Sequence, residues 1–201
     1  MDSSEFKKDF LESIKAAAAV TGEGSCAAFV DNMSQYLIDS EVLSDFTPSF
    51  YTGRSGRSKY RVDGYVYDEF DNTMNLVIAN FDGNDLERRM TNTVAMHDFG
   101  ELRVFLKTAL KTNLYKEIEM STPCADLVDF LRQNAKEIRK YRFLIFTDAS
   151  FDTSVLPVSF FTESFFLSGE FVGTGVAVGT GVAVLDGVFF TFSKASTAAF
   201  K

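Results

Sequence analysis

Three oxygen-bearing side chains lie at positions where they could bind a divalent cation. Asp63 falls within an alternating run at residues 60–67, and Asn80 and Asp82 lie at the end of a second run that starts at residue 74. The turn-rich acidic segment between the runs predicts an antiparallel hairpin. Asn80 and Asp82 would share a strand face, which Asp63 would face from the partner strand. Such oxygen ligands could hold Mg²⁺ and activate water for phosphodiester cleavage.

A plainer interpretation of the same residues stays open. Asp63 and Asn80 could be surface residues at strand ends, or they could bond to the side chain of Arg61. The spacing alone favours this interpretation over a metal site, because short polar patterns of this kind occur in many strands.

A second candidate is the basic segment at residues 53–59, which carries Arg54, Arg57 and Lys59 among glycines and serines. Cations and backbone amides offered together could bind phosphate groups. The segment lacks the Walker spacing and no helix follows it. The alternative is a solvated loop, and residues 45–59 as a whole are predicted to form a loop that leads into a strand.

Histidine and cysteine provide little chemistry in this chain. His97 is the single histidine and is predicted to lie at the entry of a helix, where Asp98 follows it. Cys26 lies on an apolar helical stripe and Cys124 lies near a helix start, so both are predicted to be structural. These numbers argue against a disulfide scaffold, a zinc site and a histidine-based triad.

The elements that must position these residues follow from hydrophobic spacing. Helical spacing at residues 6–17 and 26–37 predicts two helices, and a third is expected after Gly100. Thr122 before Pro123 predicts the start of a fourth helix, whose apolar stripe would reach Ile138. The apolar run 143–146 predicts a strand that is covered on both faces. The predicted order (helix, helix, strand, strand, helix, helix, strand) indicates an α/β sandwich with a mixed sheet.

Composition divides the chain near residue 150. The 201 residues carry a net charge of −8, which argues against coating nucleic acid or membranes through bulk charge. Residues 151–201 hold only two of the 20 basic residues and are rich in Gly, Val and Phe. This tail could be a membrane span, a pair of β-strands or non-native sequence such as the product of a frame slip, and the last is favoured. The charged amino terminus does not resemble a signal peptide, so a cytoplasmic protein without membrane partners is expected.

Residues 60–68 and 74–81 resemble the amino-terminal region of the AIPR proteins, whose name denotes abortive infection phage resistance. Further similarity lies at Ser121-Thr122-Pro123 and at residues 138–148. The resemblance covers about residues 5–150 and stops near Asp152. It implies a phage-defence protein whose residues 1–150 form a nuclease-like domain.

The element order is also similar to the restriction-endonuclease-like fold, and this resemblance implies roles for particular residues. Asp63 would be the first Mg²⁺ ligand, Asn80 would replace an acidic residue, and Asp82 would stand where a lysine belongs. Glu41 is the candidate for a further acidic ligand on the preceding helix. Asn80 is a weaker ligand than a carboxylate and no lysine orients the nucleophile, so the motif is expected to be degenerate.

Three functions therefore stay open. The favoured one is a degenerate nuclease-like domain that recognises nucleic acid or a partner, with Arg54, Arg57 and Lys59 as nucleic-acid contacts. The others are an active metal-dependent nuclease and a scaffold for a carboxy-terminal domain.

Overall fold

A computed structural model describes residues 3–84 and 88–151 together with three short strands between residues 176 and 190. The helices are α1 (Ser3–Thr21), α2 (Ser25–Asp39), α3 (Asn92–Lys111), α4 (Leu114–Glu117) and α5 (Pro123–Gln133). The strands are β1 (Thr47–Ser55), β2 (Ser58–Asp68), β3 (Thr73–Asn80), β4 (Arg89–Met90), β5 (Lys140–Thr147), β6 (Ser150–Phe151), β7 (Val176–Val178), β8 (Val182–Leu185) and β9 (Gly187–Phe190).

The main sheet is mixed, as predicted. Its strand order is β1-β2-β3-β5-β9-β8-β7. The first three strands form an antiparallel meander, and β5 then pairs parallel to β3. A parallel neighbour needs a crossover connection, and α3, α4 and α5 provide it. The strands β4 and β6 form a separate two-stranded sheet.

Apolar side chains cover both faces of this sheet. The side chains of α3 and α5 pack on one face, and those of α1 and α2 pack on the other. In β5, Phe143 and Ile145 belong to the first layer, whereas Leu144 and Phe146 belong to the second. The prediction of a strand covered on both faces is therefore confirmed, and the α/β sandwich with it.

Strand β2 changes face near Asp63. Val62 packs in the α3 layer and Val66 packs in the α2 layer, although residues four apart in a regular strand share a face. The pairing of β2 with β3 runs from Asp68 opposite Thr73 to Gly64 opposite Val77, so it ends next to Asp63.

Strand β1 replaces the loop that was predicted for residues 45–59. Its residues pair with β2, and Ser55 faces Ser58 across a two-residue turn. Gly56, the first turn residue, has φ +61°, as such a turn requires. The segment is therefore a tight hairpin, and its binding of phosphate groups stays a prediction.

Two helix boundaries also differ from the prediction. Helix α3 begins at Asn92, and the Oγ1 atom of the N-cap residue Thr91 accepts a hydrogen bond from the Val94 amide at 3.4 Å. Gly100 lies inside this helix. Helix α5 begins with Pro123, as predicted, but it ends at Gln133, so the buried side chain of Ile138 lies beyond it.

Within residues 151–201 the described backbone consists of strands. Strand β9 pairs parallel to β5, and β8 joins it to β7. This agrees with the interpretation of the tail as β-strands, and the interpretation as non-native sequence stays a prediction. In the part of the chain that the structure describes, no helix is both long enough and apolar enough to cross a membrane.

Candidate functional site

Asp63 is buried and forms an ion pair with the half-buried Arg61. The Nε atom of Arg61 donates to Oδ1 of Asp63 at 2.9 Å, and Nη2 contacts Oδ2 at 2.7 Å. The backbone amide of Ala79 donates to the same Oδ2 at 2.6 Å, just where the pairing of β2 with β3 stops. Asp63 is only 2% exposed. For Asp63, the bond to Arg61 is confirmed and the surface position is wrong. Asn80 is half-buried at the end of β3 and does not bond to Arg61 but to Arg88 and Asp98.

This environment acts on Asp63 in two directions. Burial raises the pKa of the Asp63 carboxyl, and the nearby Glu101 raises it further, while the Arg61 guanidinium and the Ala79 amide lower it. Burial alone would disfavour the charge on Arg61, but Asp63 outweighs it and raises the pKa of Arg61. The two-point contact satisfies both carboxylate oxygens. The net effect on the pKa of Asp63 is upward, because burial outweighs the guanidinium and the amide.

A second network joins the carboxyl ends of β3 and β5. The Nη2 atom of Arg88 donates to Oδ1 of Asp148 at 2.5 Å and to the carbonyl of Asn80 at 2.7 Å, and Nη1 donates to the Asn80 side chain. Asp148 also accepts from the amide of Gly83 at 2.9 Å. Arg88 and Asp148 therefore fasten the segment that follows β3 to the end of β5.

Helix α3 adds acidic groups to this network. The Nδ2 atom of Asn80 donates to Oδ2 of Asp98 at 2.6 Å. His97 lies beside two buried carboxylates, with Nδ1 3.4 Å from Asp98 and Nε2 3.8 Å from Glu101. His97 lies within the helix, so its predicted place at a helix entry is wrong.

The predicted metal ligands do not converge. The Asn80 side chain is held by Asp98 and Arg88, and Asp82 lies beyond the end of β3, where its Oδ2 accepts from Asn84 at 2.8 Å. The strand period therefore does not place Asn80 and Asp82 on one face. Among the described residues, no three His, Cys, Asp or Glu side chains are arranged to hold a metal ion.

Glu41 lies far from Asp63. It is exposed, has φ +57° and follows the end of α2 at Asp39 instead of lying on the helix. At the other end of α2, Sγ of Cys26 is 3.8 Å from Nη2 of Arg61. Fifteen helical residues span about 20 Å. Glu41 and Asp63 are therefore near opposite ends of α2 and do not share a site.

The basic segment forms the tip of the β1–β2 hairpin. Arg54, Arg57 and Lys59 are all exposed there, and Arg54 pairs directly opposite Lys59. The tip extends beyond the edge of the sheet at which β3 ends. Among the described residues, no ion pair joins its three cations to the Arg88 network.

The two thiols behave as structural groups. Cys124 is buried, and burial raises the pKa of its thiol to about 12. Cys26 is partly buried against Arg61, and burial is also the main cause that raises the pKa of its thiol.

Sequence reasoning missed Arg88, Asp98 and Asp148 as members of a network. Arg88 precedes β4 and contacts Asp148. One signal could have found Asp148: it directly follows the buried strand β5, as Asn80 ends β3, and the carboxyl ends of adjacent parallel strands meet at one edge of the sheet.

The model of one protein family matches the chain. It is described as the abortive infection phage resistance protein N-terminal domain and covers residues 29–163, about two thirds of the sequence. The match starts within α2 and extends past residue 152, where the resemblance was predicted to stop. Comparison with curated proteins and with solved structures found no match. The chain therefore belongs to the abortive infection phage resistance family, of which it carries the amino-terminal domain.

Proposed function

We propose that this domain is a nuclease-like module of a phage-defence protein that has lost its metal site and acts in recognition. The element order supports a restriction-endonuclease-like fold, because a helix, a three-stranded meander, helices and a strand parallel to the third follow one another. The carboxylate on the second strand is then the residue at which a nuclease would bind its cation.

The observation that carries the proposal is the contact between Arg61 and Asp63. The guanidinium holds both oxygens of the carboxylate, so its positive charge takes the position that a metal ion would need. A cation could bind Asp63 only after Arg61 withdrew, which would leave a guanidinium that is itself partly buried without its partner.

The residues therefore do not fit Mg²⁺. A hard divalent cation needs several oxygen ligands around one point. Here Asn80 offers its oxygen to Arg88, and Asp82 and Glu41 lie apart from Asp63. No catalytic step is assigned to the ion in this site.

The test combines metal binding with cleavage. Titration calorimetry with MgCl₂ and MnCl₂ is performed on the 201-residue chain and on Asp63→Asn, with the exposed Asp71→Asn as the matched control. Labelled single-stranded DNA, duplex DNA and RNA are incubated with the same proteins. We expect the nucleic-acid substrates to remain intact. We also expect the heat measured on adding metal to be the same for the original chain and for Asp63→Asn. Metal-dependent cleavage that Asp63→Asn abolishes and Asp71→Asn retains would overturn the proposal.

A further inference from the structure

We propose that one face of the β1–β2 hairpin binds single-stranded nucleic acid. This basic ribbon face consists of Phe50, Thr52, Arg54 and Lys59, with Arg57 at the turn. The inference rests on the proposed function for binding in place of cleavage, and it assigns recognition to a surface outside the Arg61–Asp63 and Arg88 networks.

The strand register places two cations on one face of the ribbon. Arg54 lies directly opposite Lys59, and the preceding pair on the same face is Thr52 with Arg61. The Cβ atoms of opposite residues in an antiparallel pair are about 5 Å apart, and like charges in such a pair are destabilising. An anion bound between them would offset this repulsion.

The charge at this tip is not neutralised by the surrounding protein. Within residues 3–84 and 88–151, no ion pair joins Arg54, Arg57 or Lys59 to a carboxylate. Arg61, by contrast, is paired with Asp63. Arg54 and Lys59, two residues nearer the turn, are therefore the first cations along this face that no described carboxylate pairs. Three exposed cations within six residues, on a chain of net charge −8, form a local surface complementary to a polyanion.

An exposed aromatic ring extends the same face. The register of β1 with β2 is irregular between Pro48 and Tyr51. Exposure nevertheless alternates from Ser49 to Arg54, which places the exposed Phe50 on the side of Thr52 and Arg54. Phe50 is 42% exposed. Four strand residues span about 13 Å, which brings Phe50 and Arg54 within one binding surface.

The opposite side of the hairpin packs on the core. The rings of Tyr51 and Tyr60 stack with their centroids 6.1 Å apart, and a Cβ atom at Gly53 would lie only 2.4 Å from the Tyr60 hydroxyl. The core-facing side thus holds the hairpin in place, and the basic ribbon face stays exposed to solvent.

A single strand fits this face better than a duplex. Cations contact phosphates in either form, but only an unstacked base can lie on an exposed ring. The combination of three cations with Phe50 therefore points to single-stranded nucleic acid. An acidic protein surface would contact the cations but would have no base to stack on the Phe50 ring.

The experiment measures fluorescence anisotropy of a labelled 20-nucleotide oligo(dT) against the full chain over a range of NaCl concentrations. The triple variant Arg54→Gln, Arg57→Gln and Lys59→Gln is compared with Arg103→Gln, Lys107→Gln and Lys136→Gln, which removes three exposed charges elsewhere. The ribbon variant should bind at least tenfold more weakly. Its plot of log K against log[salt] should lose about 2 from its slope, since each contact contributes about 0.7 for single strands.

Phe50→Ala tests the ring separately. We expect about tenfold weaker binding at unchanged salt slope, because a stacked base is lost while the phosphate contacts remain. Circular dichroism confirms that each variant is folded. Equal losses in the two triple variants, an unaffected Phe50→Ala variant, or equally tight binding of a 20-base-pair duplex would each overturn the inference.

The two proposals can fail independently. Oligo(dT) recovered from each sample is examined on a denaturing gel after incubation with MgCl₂. Shortened fragments would contradict the loss of the metal site but would leave the binding data to be judged by the ribbon variants. Intact oligonucleotide that binds no more weakly to the ribbon variant than to the control variant would contradict the ribbon inference alone.

Discussion

Arg61 and Asp63 stand two residues apart on strand β2, and the guanidinium of the first holds both carboxylate oxygens of the second. The Asp63 carboxylate also accepts a hydrogen bond from the Ala79 amide, at the point where the pairing of β2 with β3 ends. The aspartate therefore acts as a structural group that joins the two strands at the point where β2 changes face. The resemblance to a nuclease predicted a metal ligand at this same residue.

Arg61→Met should destabilise the fold by about 3 kcal/mol, because it leaves the buried Asp63 carboxylate without its counter-charge. The double variant Arg61→Met with Asp63→Asn should recover part of this loss, since the amide oxygen can still accept from Ala79. Urea unfolding followed by circular dichroism measures both. If the single and double variants were equally unstable, the buried charge would not be the cause.

Arg88→Met should loosen the segment after β3. Its removal leaves Asp148, whose side chain is 3% exposed, without a cation. The amide of Gly83, which donates to Asp148 at 2.9 Å, should exchange faster with deuterium. Arg89→Met is the matched control, because Arg89 is exposed. Unchanged protection of Gly83 in the Arg88 variant would contradict the role given to this pair.

Gly64→Ala should cost about 1–3 kcal/mol of stability, because a Cβ atom there would lie 2.1 Å from Cζ of Phe46. Phe46→Ala removes the obstacle, so the two changes together should cost less than their sum. Gly100→Ala is a control that should change stability in the opposite direction. Nothing lies within 4 Å of the Cβ position of Gly100 inside α3, so alanine should stabilise the helix by about 0.5–1 kcal/mol. Additive losses at Gly64 and Phe46 would argue against the steric clash.

Tyr141→Phe should stabilise the protein, most visibly at alkaline pH. The Tyr141 hydroxyl is buried and has no hydrogen-bond partner among the described residues, and burial raises its pKa from 10.0 to about 12. Above pH 10 the unfolded chain releases this proton and the folded chain keeps it, so stability falls as pH rises toward 12. Phenylalanine removes this contribution and adds about 1 kcal/mol at pH 7 by eliminating an unpaired polar group. Thermal unfolding at pH 7 and pH 10.5 tests both effects, and a less stable variant at either pH would refute them.

The buried strands could be predicted from the sequence, whereas the edge strand could not. Strands β2, β3 and β5 have apolar runs or alternation because the core covers them. In β1 only Ser49 is buried, and Pro48 and Gly53 interrupt the pattern, so the segment looks like a loop. The beginning of α3 was missed because Gly100 looks like a boundary, although it lies within the helix.

The contacts of the candidate site also differ in whether the sequence could predict them. The contact between Arg61 and Asp63 spans two residues, so spacing alone could suggest it. Arg88 and Asp148 are 60 residues apart, and only the parallel pairing of β3 with β5 brings them together. Spacing within one strand also could not predict the face change in β2, which depends on how the neighbouring strands pair.

Strand β2 separates two turns of opposite charge. The β1–β2 turn is flanked by Arg54, Arg57 and Lys59, while the turn toward β3 carries Asp68, Glu69 and Asp71. About ten residues of extended chain keep these ends roughly 30 Å apart. Strand β2 thus carries opposite charges at its two ends, and these charges would favour the approach of a polyanion to the β1–β2 turn before any contact forms. At low ionic strength this orientation would be set in the encounter itself, and added salt would slow association by randomising it.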